Sequence, residues 1–141
     1  MIGDYPYDAA RTPPAPVLPL AVMPPVGTDA VALRALVDCG ADLTVLPAGT
    51  AARVRLPRIG ALTVRGISGK TVRVPLYAAR LRMSGAEVVV EAAELGAEAL
   101  VGRDVLNGWV VTLDGPARRT RIGLPPTATL SQRNVTLGRM P

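Results

Sequence analysis

The sequence has no histidine and no phenylalanine, a single cysteine, and aromatic residues amounting to only 3% of its length. Each scarcity removes a class of chemistry. Without histidine there is no Ser-His or Cys-His nucleophile pair and no imidazole base, and most zinc sites lose their usual ligand. One cysteine permits no intrachain disulfide, which suits a reducing compartment. So few aromatics leave little on which nucleic-acid bases could stack. The net charge of +5, carried by scattered arginines and the lone Lys70, therefore reads as a solvated basic surface and not as a nucleic-acid interface. No uncharged apolar run approaches the roughly 18 residues of a membrane-spanning helix. The start, Met1-Ile2-Gly3-Asp4-Tyr5, lacks the basic and apolar regions of a secretion signal. A cytoplasmic protein without a membrane partner is the expectation.

What is present points to strands. The 141 residues suffice for one core and are too few for two lobes of ordinary size. Apolar residues reach 49%, so Val, Leu, Ile and Ala must fill that core, and branched aliphatics suit sheets. Glycine and proline, 14 of each, punctuate the chain too often for a helical bundle. Residues 1–16 carry Pro6, Pro13, Pro14 and Pro16 with no hydrophobic period, the pattern of a Pro-rich flexible arm. A domain over 17–124 and a tail over 125–141 complete the expected division. Within the domain, Pro19, Pro24 and Pro25 place any strand near 17–26 at a sheet edge. Leu62 and Val64 alternate with Thr63 and Arg65, and Val72, Val74 and Leu76 alternate with Arg73 and Pro75. Gly66-Ile67-Ser68-Gly69 between them is the tip of a hairpin. Strands are further expected over 77–83, 87–91, 99–102, 109–113 and 120–122, with helical turns near 48–53 and 103–108. No internal repeat interrupts this order.

The chemistry concentrates in Ala35-Leu36-Val37-Asp38-Cys39-Gly40-Ala41-Asp42-Leu43-Thr44-Val45-Leu46-Pro47. A carboxylate ending a buried apolar strand is costly unless hydrogen bonds hold it, and a glycine close behind lets backbone amides turn toward it. A second apolar pair closed by glycine follows in Ala99-Leu100-Val101-Gly102-Arg103-Asp104-Val105-Leu106. These two segments, with the glycine-tipped hairpin between them, resemble the landmarks of retropepsins, the retroviral-type aspartic proteases, over residues 25–122.

The resemblance implies a mainly β, single-lobe, closed β-barrel-like acid protease fold with one short helix and a flap hairpin. It implies Asp38 as the catalytic group, Cys39, Gly40, Ala41 and Asp42 as the active-site loop, and Gly66, Ile67, Ser68 and Gly69 as the substrate-binding flap. Leu100, Val101, Gly102 and Arg103 would support the loop, with Arg103 pairing to Asp42. It also implies a homodimer acting on polypeptide, with no metal and no cofactor. Counting agrees with the dimer, because a two-lobed enzyme carries two such loops and this chain has one. The nearest second candidate, Val111-Thr112-Leu113-Asp114-Gly115, has glycine immediately after the aspartate and reads as a β-turn. Gly69-Lys70-Thr71 ends like a phosphate-binding loop, but Val64 stands where that motif needs glycine. One departure matters. Cys39 occupies a position that is Thr or Ser in retropepsins, where the hydroxyl bonds across the dimer, and a thiol is a weak donor. It raises the alternative of a catalytically impaired peptide-binding or dimerisation module.

Overall fold

A computed structural model of the chain describes residues 2–125. The tail expected over 125–141 lies, apart from Pro125, outside the described residues. Ten strands run in the order β1 (Gly3–Pro6), β2 (Val17–Met23), β3 (Val31–Val37), β4 (Val45–Leu46), β5 (Arg58–Arg65), β6 (Thr71–Met83), β7 (Ala86–Glu94), β8 (Leu100–Val101), β9 (Val110–Asp114) and β10 (Arg119–Gly123). Two short helices, α1 (Thr50–Val54) and α2 (Arg103–Leu106), form where the sequence allows helical turns. The fold is mainly β. No helix among the described residues is long and apolar enough to cross a membrane.

Six strands close on themselves. Their order is β2-β3-β8-β4-β7-β6, and β6 returns to β2 through Ala21↔Arg82, Val22↔Leu81 and Met23↔Arg80. Closure removes the free edges that would otherwise invite pairing with other chains. It also corrects the expectation that prolines hold β2 at an edge. Pro19 pairs with Arg34 of β3 alone, and β6 joins β2 only from Ala21 onward, so the barrel seam begins past the residue that lacks an N–H. Inside sit Leu18, Val22, Leu46, Val54, Val101 and Ile122, all essentially without solvent contact. Burying one such side chain contributes about 1.5–3 kcal/mol, so an aliphatic core suffices without Phe.

β6 is one strand of 13 residues, and its buried parity changes from Val74 to Ala79, Leu81 and Met83. The change falls where β5 carries an extra residue, Ile59, opposite Leu76 and Tyr77. A bulge of this kind bends and twists the pair. The β5–β6 hairpin thus leaves the barrel wall as a flange, with β5 as its outermost strand.

Residues 2–16, expected as part of a free arm, are built into the fold. β1 pairs antiparallel with β10, which pairs with β9, giving a separate three-stranded sheet. Asp8 bridges Ala15, and Asp4 pairs with Arg119 at 2.8 Å. The sequence hid this because the four-residue strand ends at Pro6 and its partner lies more than a hundred residues away.

Candidate active site

The loop after β3 is fixed from three directions. β3 and β8 run parallel with Leu36 beside Leu100 and Val37 beside Val101, and the Asp38 N–H donates to Val101 O at 3.0 Å. On the other side the Val37 N–H donates to Pro16 O at 3.0 Å. Asp38 therefore leaves the barrel wall with its backbone already committed. Its Oδ1 accepts the Gly40 N–H at 2.9 Å, and the Ala41 N–H donates to Asp38 O at 3.2 Å. A tight turn results that holds one carboxylate oxygen and leaves the other without a hydrogen-bond partner among the described residues. A Cβ on Gly40 would lie 3.2 Å from that same oxygen, so glycine suits the close approach. Asp38 is half-buried, while Cys39 and Gly40 are exposed.

Behind the loop, Gly102 allows a very close backbone-to-backbone approach. A Cβ there would lie 2.6 Å from both the carbonyl carbon and oxygen of Leu43. Arg103 begins α2 and ties the loop down twice. Its N–H donates to Ala41 O at 2.9 Å, and its guanidinium donates to Cys39 O at 2.8 Å and to Asp42 Oδ1. Asp42 is largely exposed, so this pair orients the loop more than it stabilises the fold.

The deeper brace was missed in the sequence. Thr44 is fully buried; its N–H donates to Asp104 Oδ2 and its hydroxyl to Asp104 Oδ1, both at 2.9 Å. The same hydroxyl accepts the Gly102 N–H at 3.3 Å. Thr44 and Asp104 thus clamp the exit of the loop to the start of α2. The available signal was a lone hydroxyl in the apolar run Leu43-Thr44-Val45-Leu46, and an acid at the second position of an expected helix. Buried polar groups of this kind persist only when partnered.

The loop opens onto a cleft of about 560 Å³. Gly40, Ala41, Asp42 and Leu43 form one wall, and Leu62 to Arg65 of β5 form the facing one. Val45, Leu95 and Leu100 make its floor and ends mainly aliphatic. The structure therefore gathers Asp38, Cys39, Gly40, Ala41, Asp42, Leu100, Val101, Gly102 and Arg103 into one unit. It does not bring the hairpin tip to them. Gly66, Ile67, Ser68 and Gly69 turn through bonds from the Gly66 N–H to Lys70 O and from the Gly69 N–H to Gly66 O, and Ile67 projects fully into solvent. The stem of the hairpin, not its tip, lines the cleft of this single chain. Asp114, the second candidate aspartate, caps the β9–β10 turn. The Ala117 N–H and then the Arg121 guanidinium hold its carboxyl below the usual range.

No protein-family profile matches the sequence, and no curated protein matches it either. Among solved structures, EIAV protease complexed with the inhibitor HBY-793 is similar, with a TM-score of 0.53 at 20% sequence identity. The match covers 66% of this chain and 86% of that one. The closed barrel described above matches the retropepsin-like fold.

Proposed function

We propose that this chain is an aspartic endopeptidase that works as a homodimer, each copy contributing Asp38. The observation that carries the reading is the Asp38 turn itself. One carboxylate oxygen is held by the Gly40 N–H and the other has no partner among the described residues, on a loop braced by α2 beside a peptide-sized aliphatic cleft. A single carboxylate cannot act as acid and base at once. Two such loops meeting across a twofold axis would place like charges so close that one proton is shared between them. The ionised Asp38 then draws a proton from a water, and the protonated Asp38 donates to the scissile carbonyl oxygen. The water oxygen adds to the carbonyl carbon, giving a tetrahedral diol without a covalent enzyme intermediate. Activity that needs one shared proton is expected on the acidic to neutral side.

Polypeptide is the substrate this reading requires, lying extended in the cleft with the two β5–β6 hairpins closing over it. A second reading rests on Cys39, whose exposed thiol stands where retropepsins have a hydroxyl. In that reading the fold binds peptide or dimerises without cutting. One experiment addresses both: cleavage of an unfolded protein substrate by the wild type, Asp38→Asn and Cys39→Thr, with dimerisation followed by analytical ultracentrifugation. The expected result is dimers throughout and a loss of at least about a thousandfold in Asp38→Asn. Undiminished cleavage by Asp38→Asn, or a strictly monomeric active protein, sinks the peptidase. An inactive wild type revived by Cys39→Thr establishes the impaired module instead.

A further inference from the structure

The charges around the cleft are unequally compensated. Asp42 and Glu98 line it, but Asp42 is paired with Arg103 and Glu98 with Arg11. Arg65 also lines it and has no carboxylate within ion-pairing distance among the described residues. The charge left open to a ligand is therefore positive.

The imbalance continues along the hairpin. Between Asp42 and Glu87 the chain has no acidic residue. Arg80 and Arg82, at the end of β6, are taken up by Glu87. Arg65 pairs in register with Thr71, and Thr63 with Arg73, so Arg65 and Arg73 are diagonal neighbours on one face, about 7–8 Å apart in such a ladder. Neither has a carboxylate partner among the described residues, and a bound anion would relieve their repulsion. The cleft is also shaped for a strand. Four successive β5 residues line it, of both side-chain parities, so it runs along the edge of β5, and that edge is unpaired among the described residues. An extended peptide laid there can add to the sheet through its own backbone.

Building on the peptidase reading, we propose that Arg65 is a specificity-determining residue, selecting polypeptides in which an acidic side chain flanks an aliphatic stretch. The stretch seats against Leu43, Val45, Leu62 and Leu100, and the acid reaches the Arg65 guanidinium at the hairpin end of the cleft. In the dimer, the two copies would supply an Arg65 on either side of the scissile bond. A nucleic acid is the other polyanion to weigh, but no Tyr or Trp lines the cleft to receive a base.

The test uses three fluorescent peptides sharing one aliphatic core, flanked on both sides by Glu, Gln or Lys. Binding is read by anisotropy on Asp38→Asn protein, and cleavage by mass spectrometry on Asp38 protein. The Glu peptide is expected to bind about tenfold tighter than the Gln peptide, with Lys weakest. Adding Arg65→Ala should shrink the preference to within about twofold, and Arg65→Glu should invert it toward Lys. Equal binding of the Glu and Gln peptides overturns the assignment, as does a preference that survives Arg65→Glu. Displacement of the Glu peptide by a single-stranded oligonucleotide, dependent on Arg65, overturns it in favour of nucleic acid. Cleavage without acidic preference removes the role of Arg65 and leaves the peptidase standing. Arg65-dependent acidic binding with no cleavage at any pH does the reverse.

Discussion

The two walls of the cleft are built on opposite principles. The wall formed by Gly40 to Leu43, on the loop that follows Asp38, is held by converging polar contacts. Thr44, Asp104, Gly102 and Arg103 join residues some sixty positions apart, and the loop backbone bonds to β8 and to Pro16. The β5 wall rests mainly on its ladder to β6 and a five-residue turn, with Leu62 and Val64 half-buried and Thr63, Arg65 and Ile67 exposed. On the proposed function, the difference suits a site that must position one group and still admit a chain.

Substitutions can break this contrast, and the largest effect is expected at Gly102. An added methyl in Gly102→Ala meets the Leu43 backbone at 2.6 Å, where nothing can rotate away. A loss of about 3 kcal/mol or more in urea unfolding is expected, with cleavage lost as the loop is displaced. A near-native urea midpoint would show that the contact is looser than drawn.

Thr44→Val comes next. It keeps shape but removes the hydroxyl that donates to Asp104 and accepts from Gly102. About 1–3 kcal/mol of destabilisation is expected, because the buried Gly102 N–H and a part-buried carboxylate oxygen each lose a partner. A silent Thr44→Val would mean that Arg103 alone braces the loop.

The smallest stability change is expected on the opposite wall. Ile67→Ser at the fully exposed tip should alter unfolding by less than about 0.5 kcal/mol while raising KM for peptide. If stability falls as much as in Thr44→Val, the hairpin is a structural element and the contrast between the walls fails.

Legibility in the sequence followed the same division. The loop around Asp38, the second Gly-closed segment and the hairpin were all readable, because each is local: an apolar run, then a residue whose backbone freedom or charge the run cannot explain. The Thr44–Asp104 clamp was not, since neither residue is unusual among its own neighbours and only the barrel brings them together. β1 was read as part of an arm for a related reason. Four residues ending in proline carry no pattern until β10 lies beside them. The parity change in β6 was visible as two separate alternations, but that they form one bent strand depends on the bulge at Ile59 across the ladder.

By itself the sequence determined a strand-rich, aliphatic, single-core chain with no histidine chemistry, because composition and short-range alternation fix those features. The tertiary structure alone decided that β6 closes the barrel on β2, that a buried threonine locks the loop to α2, and that Arg65 has no carboxylate partner among the described residues beside the cleft. The reason is physical: closure, clamping and charge compensation are relations between residues far apart in the chain, and only packing sets which partners meet.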